Sequence, residues 1–126
     1  MAVRHTDFDC FYTIGSGIRA CETSAEAAIR KTYEETGLIF SINRLVFLEE
    51  RFYSVGQLRH HQITFFHLMK STQCRISGGA ATDQPGESLH WLRLLDLHQY
   101  KLAPDFLQNP SGNIPEHVQY IVTCKV

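Results

Sequence analysis

Polar and apolar positions between residues 23 and 37 recur with the period of an α-helix. Small, apolar or uncharged residues share one stripe of this stretch: Ala25, Ala28, Ile29, Thr32, Tyr33 and Thr36. The charged residues share the other side: Glu26, Arg30, Lys31, Glu34 and Glu35. Thr23 or Ser24 is suited to cap the start, and Gly37 is suited to end the helix in the left-handed conformation. We therefore expect one amphipathic helix whose uncharged stripe packs against a core.

Alternating patterns bounded by turn residues predict strands elsewhere in the chain. We expect strands at residues 2–5, 11–14, 39–50, 60–70 and 117–125, and a further strand that begins at Glu87. Leu45 and Phe47 are expected to face inward, Ile63 and Phe65 alternate along the strand at residues 60–70, and Trp91 is expected to anchor the core. Residues 54–58 are predicted to form a turn around Gly56, residues 71–86 a flexible loop, and residues 100–107 a short helix interrupted at Pro104.

Acidic residues cluster at both ends of the predicted helix. A glycine-rich turn at residues 15–17 precedes the helix, and Glu22 lies at its mouth. Glu34 and Glu35 are adjacent and lie within about one turn of Arg30. Clustered carboxylates repel one another unless a cation is shared, and Mg²⁺ prefers carboxylate oxygens. The alternative is a solvated face of ion pairs spaced four residues apart along the helix.

Residues 15–38 resemble the signature box of the Nudix hydrolases. That box is a glycine, five residues, a glutamate, seven residues, and then Arg-Glu-apolar-x-Glu-Glu-x-Gly-apolar. Glu22, Arg30, Glu34, Glu35 and Gly37 fall on the matching positions, with the spacing kept throughout.

Two positions depart from this box. The box glycine falls on Ser16, which is flanked by Gly15 and Gly17. The glutamate that follows the arginine falls on Lys31, and the usual apolar position after it holds Thr32. Lys31 either removes an acidic ligand and repels the metal, or its ammonium group holds a substrate phosphate directly.

The resemblance implies an α/β fold, a Nudix-type α/β/α sandwich with a mixed sheet, formed by a single domain over residues 1–126. The box helix would lie on one side of the sheet and a C-terminal helical segment on the other. The lead before the box is short by about one strand of five or six residues, so the usual first strand is expected to be missing. An unpaired sheet edge invites pairing with another chain, which predicts a homodimer.

The resemblance also implies which residues act. Glu34, Glu35 and Glu22 would bind the metal, Mg²⁺ or Mn²⁺, and the planar fork of Arg30 would orient the box glutamates. Nudix enzymes often take the base that activates water from a loop far along the chain, and Glu87 is the candidate here, with Asp83 behind it. The predicted catalytic residues are Glu34, Glu35, Arg30 and Glu87. The predicted substrate-binding residues are Lys31, Gly15 and Gly17.

The implied reaction is hydrolysis of a nucleoside diphosphate linked to another moiety, by metal-dependent attack of water on phosphorus. The alternative is a nucleotide-binding or sensing module of the same fold whose catalysis is weakened by Lys31. Cleavage of a nucleotide substrate by the native chain distinguishes the two.

Composition and charge limit the partners. The formal net charge of −1 gives no broad attraction to nucleic acid polymers or to a membrane surface. No apolar run is long enough to span a bilayer, and the N-terminus lacks a signal-peptide pattern. The cysteines form no Cys-x-x-Cys pair and are expected to be reduced thiols in a cytoplasmic protein: Cys10, Cys21, Cys74 and Cys124.

Overall fold

The computed structural model describes residues 1–71, 80–82, 84–109 and 111–125. One α-helix and eight strands form in these residues, in the order β1 (Ala2–His5), β2 (Phe11–Tyr12), α1 (Ser24–Thr36), β3 (Ser41–Val55), β4 (Leu58–Lys70), β5 (Ala80–Ala81), β6 (Glu87–His90), β7 (Leu102–Ala103) and β8 (Gln119–Lys125). Two 3₁₀ turns lie at Leu94–Gln99 and Asp105–Leu107. None of the helices in the described residues is long and apolar enough to cross a membrane.

Helix α1 is closed at both ends by the predicted signals. Thr23 is the N-cap: its side chain accepts a hydrogen bond from the backbone N–H of Glu26, and the Glu26 carboxylate accepts one from the backbone N–H of Thr23. This reciprocal pair satisfies two of the backbone donors that a helix leaves unpaired at its start. Gly37 ends the helix with φ of 72°, which is a conformation that glycine adopts without steric cost.

The buried stripe of α1 differs from the predicted one. Tyr33, expected in the core, is 54 % exposed, and the buried residues are Ala27, Thr32 and Glu35. Lys31 was placed with Glu35 on the solvent side, yet their side chains are only 13 % and 5 % exposed. The helix is thus rotated about its axis relative to the apolar pattern, because Lys31 and Glu35 neutralise each other and enter the interior as a pair.

The described chain forms two compact units, and each combines two stretches of sequence. The first contains Met1–Ser41 and Ser71–Asn113, and the second contains Ile42–Lys70 and Ile114–Val126. Helix α1 and the predicted site residues all belong to the first unit.

The sheet of the first unit has the strand order β5-β6-β1-β2-β7. Strand β1 lies inside it: Val3 is opposite Tyr12 on one side and Leu89 on the other. Val3 and Leu89 are 0 % and 2 % exposed, so the middle of this sheet is part of the core. The pairing of β2 with β7 is parallel whereas the neighbouring pairings are antiparallel, which makes the sheet mixed, as predicted.

The sheet of the second unit has the order β4-β3-β8. The chain turns from β3 into β4 at Gly56, where the sequence predicts the turn, and β8 runs parallel to β3. A charged residue, Glu49, is buried here at 2 % exposure. Its carboxylate accepts hydrogen bonds from Arg51 and from the Thr123 hydroxyl, so the buried charge is paired.

The α/β class and the mixed pairing are confirmed, but several details of the prediction are wrong. The strands form two sheets rather than one, and strand β7 and the 3₁₀ turn Asp105–Leu107 replace the helix expected over residues 100–107. Trp91 is 47 % exposed, although it was expected to anchor the core, and the alternating Ile63 and Phe65 are 56 % and 40 % exposed. Alternation of apolar residues gives a strand but leaves open which face is covered. Most of the predicted loop over residues 71–86 lies outside the described residues.

Candidate active site

A tight turn ahead of α1 fixes the first glutamate of the cluster. The backbone N–H of Glu22 donates to the carbonyl of Arg19 at 3.1 Å, and Cys21 lies between them with φ of 63°, in the left-handed region. The Glu22 carboxylate in turn accepts the backbone N–H of Arg19 at 2.8 Å. These two hydrogen bonds hold both the backbone and the side chain of Glu22 at the entrance to the helix.

Arg30 joins this turn to the helix. Its Nε and Nη2 donate to the two carboxylate oxygens of Glu22 at 2.6 and 3.1 Å. Nη2 also donates to the carbonyl of Gly17 at 3.1 Å, and Nη1 donates to Glu34 at 3.3 Å. The guanidinium group therefore connects the glycine-rich turn, Glu22 and the second half of α1.

The same contacts keep Glu22 ionised. The hydrogen bond from Arg30, assisted by that from the Arg19 backbone, lowers the pKa of the Glu22 carboxyl from 4.5 to about 2. The pKa of Arg30 is raised by the same bond, so the pair stays charged across the ordinary pH range. Both Glu22 oxygens accept hydrogen bonds from Arg30, so the Glu22 carboxylate is held in one orientation within the cluster.

Lys31 lies against the two adjacent carboxylates. Its Nζ is 3.2 Å from Oε1 of Glu35 and 3.9 Å from Oε2 of Glu34. Arg19 approaches Glu34 from the loop, with Nη2 3.7 Å from Oε1. Three carboxylates (Glu22, Glu34 and Glu35) thus face three cations (Arg19, Arg30 and Lys31), and the cluster is electrically balanced by its own side chains.

The donor set fits a magnesium ion only together with a substrate. The described residues contain no group of three or more histidine, cysteine or acidic side chains placed to hold a metal. Mg²⁺, however, is commonly bound by one or two carboxylates and completed by substrate phosphates and water. Glu34 and Glu35 supply two such carboxylates, and the positive charge of Lys31 opposes a lone cation there.

Glu87 lies at the start of β6 and is fixed by two hydroxyl groups. The Tyr12 phenol donates to Oε1 of Glu87 at 2.7 Å, and the Thr82 hydroxyl donates to Oε2 at 3.0 Å. Burial, the hydrogen bond to Glu87 and the charges of Glu87 and Glu35 raise the pKa of Tyr12, in that order of size. Glu35 therefore lies within electrostatic range of the phenol that binds Glu87.

The structure brings together most of the predicted site residues. Glu22, Arg30, Lys31, Glu34 and Glu35 form one connected cluster. The carbonyl of Gly17 joins the cluster through its hydrogen bond to Arg30. A Cβ atom at Gly15 or at Gly17 would meet no atom of the described residues within 4 Å, apart from those of its chain neighbours. Asp83 lies outside the described residues.

Three participants were missed by the sequence analysis. Arg19 contacts Glu34, and Tyr12 and Thr82 hold Glu87. Arg19 lies in the box between its glycine-rich turn and Glu22, so its charge was an available signal. Tyr12 and Glu87 are 75 positions apart, and only the pairing of β1 with β2 and β6 brings them together.

We predict that the free energy of unfolding of Glu22→Gln falls less steeply at acid pH than that of the native chain. A carboxyl whose pKa falls on folding stabilises the native state above its unfolded pKa, and this contribution is lost as pH falls from about 4.5 towards about 2. Urea unfolding of the native chain and of Glu22→Gln across this range measures the difference. Glu116→Gln, an exposed change in the second unit, is the control. If the free energy of unfolding of Glu22→Gln falls with pH as steeply as that of the native chain, the prediction is contradicted.

Comparison with known protein families gave a domain match. A model of the NUDIX domain matches residues 2–115, which is most of the chain and includes the whole cluster and Glu87. No curated protein matches the chain at a significant level. The family match supports a Nudix-type hydrolase in general, a class that acts on nucleoside diphosphate derivatives and generally uses divalent metals such as Mg²⁺. The chain therefore belongs to the NUDIX domain family.

Proposed function

We propose that this protein hydrolyses a nucleoside diphosphate linked to another moiety, with Mg²⁺ or Mn²⁺ bound during the reaction. The observation that carries this proposal is the Arg30 contact set, which joins Glu22, Gly17 and Glu34 around one guanidinium group. Glu34 and the adjacent Glu35 lie in the last turn of the same helix, and Arg30 contacts the first of them. Hydrolysis of a diphosphate requires cations that neutralise the phosphates and an oriented base, and Lys31, the metal ion and Glu87 would supply them.

Metal and substrate are expected to bind together. The cluster of Glu22, Glu34, Glu35, Arg19, Arg30 and Lys31 is charge-balanced, so a divalent cation alone would add two uncompensated positive charges. A diphosphate brings the negative charge that offsets them. Glu34, Glu35 and substrate oxygens would hold the ion, which would neutralise phosphate charge when bound. Lys31, with Gly15 and Gly17 in the preceding turn, is our proposal for phosphate contacts.

Glu87 is our proposal for the general base. It takes a proton from the attacking water as the water oxygen bonds to phosphorus, and the bridging P–O bond breaks with its electron pair leaving on the departing group. Each carboxylate oxygen carries two lone pairs, so the bonds from Tyr12 and Thr82 leave acceptor capacity for this water.

The proposal covers residues 1–126 as one working domain, because the family match spans stretches of both compact units. The partner is a small nucleotide derivative rather than a nucleic acid polymer, in keeping with the net charge of −1. A cytoplasmic location stays a prediction. The free thiols of Cys10, Cys21 and Cys124 support it, and Cys74 lies outside the described residues.

We predict that the native protein releases phosphate or nucleotide from at least one member of a panel of nucleoside triphosphates, sugar nucleotides and dinucleotides. Glu35→Gln should lower kcat/KM at least about a hundredfold, because charge stabilisation by a metal contributes several kcal/mol to the barrier. Glu26→Gln is the matched control, since glutamine keeps the capping box of the same helix.

A check of folding and a second variant support the interpretation of this experiment. Circular dichroism checks that Glu35→Gln keeps its helix, and Glu34→Gln provides a second, more exposed change in the same carboxylate pair. A native protein that cleaves nothing in the panel contradicts the hydrolase proposal. Nucleotide binding without turnover would instead support the sensing module, the more so if Lys31→Glu gains activity.

We predict that Lys31→Glu strengthens Mg²⁺ binding by at least about tenfold in calorimetric titrations. The change removes a cation 3.2 Å from Glu35 and adds a third carboxylate, and a charge pair at such distances is worth several kcal/mol even at moderate dielectric. Lys101→Glu makes the same charge change at an exposed position of the same unit. Equal affinities in Lys31→Glu and Lys101→Glu would rule out competition between Lys31 and the metal.

The homodimer also stays a prediction. The unpaired sheet edge that favours it is formed by a different strand from the one expected. Strand β1 is paired on both sides by β2 and β6. Strand β8 lies at the edge of the sheet of the second unit, in the part of the chain that the structure describes. Tyr120 and Val122 on this strand, and Val118 just before it, are more than half exposed. An apolar edge strand of this kind is a template for pairing with a second copy.

We predict that light scattering at high concentration gives twice the chain mass of 14.4 kDa. Val122→Lys should return the mass to that of the monomer, because lysine on an edge strand opposes pairing. Val55→Lys, an equally exposed position at the β3–β4 turn, should leave the dimer intact. A monomeric native protein contradicts the homodimer.

A further inference from the structure

A hydroxyl pair fixes the orientation of the Glu87 carboxylate. Tyr12 Oη lies 2.7 Å from Oε1 and Thr82 Oγ1 lies 3.0 Å from Oε2. Each donor binds a different oxygen, so together they restrict rotation of the carboxylate plane. The distance to Tyr12 is within the range for an O–H donor bound to an anionic oxygen.

The sheet explains how Tyr12 reaches Glu87. Tyr12 is opposite Val3, and Val3 is opposite Leu89, so the three side chains share one face of the sheet. Glu87 lies two residues before Leu89 on β6 and therefore faces the same side. Strand β1 thus acts as a spacer, and the phenol of β2 spans it to meet the carboxylate of β6.

The surroundings of the phenol connect it to the box helix. The charged and titratable groups that act on Tyr12 are Glu87, Glu35 on α1 and Cys10, and His5 is opposite Glu87 in the strand register. The two carboxylates and the burial of the ring all favour the neutral phenol. Tyr12 therefore remains a hydrogen-bond donor throughout the neutral pH range.

We infer that Tyr12 is a positioning residue for the reaction: its O–H holds one oxygen of Glu87 so that the other lone pairs of the carboxylate are directed at the attacking water. This inference rests on the proposed function, in which Glu87 is the base. Tyr12 keeps its proton throughout, and the proton from water resides on Glu87 until it is released to solvent. Thr82 holds the second oxygen in the same manner.

The kinetic test is a double-mutant cycle on the native chain. Tyr12→Phe should lower kcat about tenfold or more with KM changed by less than about twofold, since a hydrogen bond to a charged group that only orients the base affects turnover. Glu87→Gln should lower kcat about a hundredfold or more, as expected for loss of a general base. Tyr12→Phe in the Glu87→Gln background should then cause no further loss, because residues that act as a unit are non-additive.

The matched control is Tyr100→Phe. Tyr100 is a half-buried tyrosine of the same unit whose ring packs edge-on against Phe11, and it plays no part in the proposed chemistry. This variant should keep the native kcat. Circular dichroism and urea unfolding compare the two tyrosine variants for effects on folding.

A spectroscopic readout tests the contact without activity. Ultraviolet titration of tyrosine ionisation, compared between Glu87→Gln and the double variant Glu87→Gln/Tyr12→Phe, isolates the Tyr12 phenol. Its pKa should fall from its raised position towards the ordinary value of 10.0 once the Glu87 charge is removed. A pKa that stays equally high in Glu87→Gln would overturn the contact on which the inference depends.

The outcomes separate the inference from the proposed function. If Glu87→Gln lowers kcat but Tyr12→Phe does not, the positioning role is overturned and the base assignment stands. If the losses of the two single variants multiply in the double variant, Tyr12 acts independently of Glu87 and the inference is overturned. If Glu87→Gln keeps the native kcat, the base assignment fails and the positioning role fails with it.

Discussion

The contact between Arg30 and Glu22 is the interaction on which the rest of the site depends. Glu22, Glu34 and Glu35 carry like charges, and without a cation among them they would repel one another. Arg30 binds Glu22 through two nitrogens, reaches Glu34 one turn along the helix, and holds the carbonyl of Gly17 as well. Because one planar group makes all these contacts, the loop and the helix share a single fixed geometry.

Lys31 completes the charge balance and changes what the cluster requires from a ligand. A family position that usually carries a glutamate here carries a cation, held within 3.2 Å of Glu35 in a largely buried setting. Burial of the pair costs desolvation, which the mutual attraction of the two charges offsets only while both are present. The cluster is therefore charge-balanced by its own side chains, and in the function proposed above a cation binds there only together with phosphate charge.

Local signals predicted the parts of this molecule that local forces determine. The caps at Thr23 and Gly37 and the hairpin turn at Gly56 depend on a few neighbouring residues, and all three formed where the sequence placed them. The buried face of α1 was predicted incorrectly, because Lys31 and Glu35 were each assigned to solvent by their charge and were not considered as an ion pair. The contact of Tyr12 with Glu87 was beyond prediction, since it depends on which strands flank β1.

The carboxylates of α1 and the carboxylate of Glu87 are positioned by different parts of the fold. The carboxylates of α1 are positioned by contacts within one continuous stretch of sequence, so their geometry survives changes in distant loops. Glu87 is positioned by the sheet, through Tyr12 on the far side of β1. Val3 at the centre of that sheet is fully buried, which keeps the spacing between β2 and β6 constant. The core packing of one short strand thereby sets where the Glu87 carboxylate lies in the sheet.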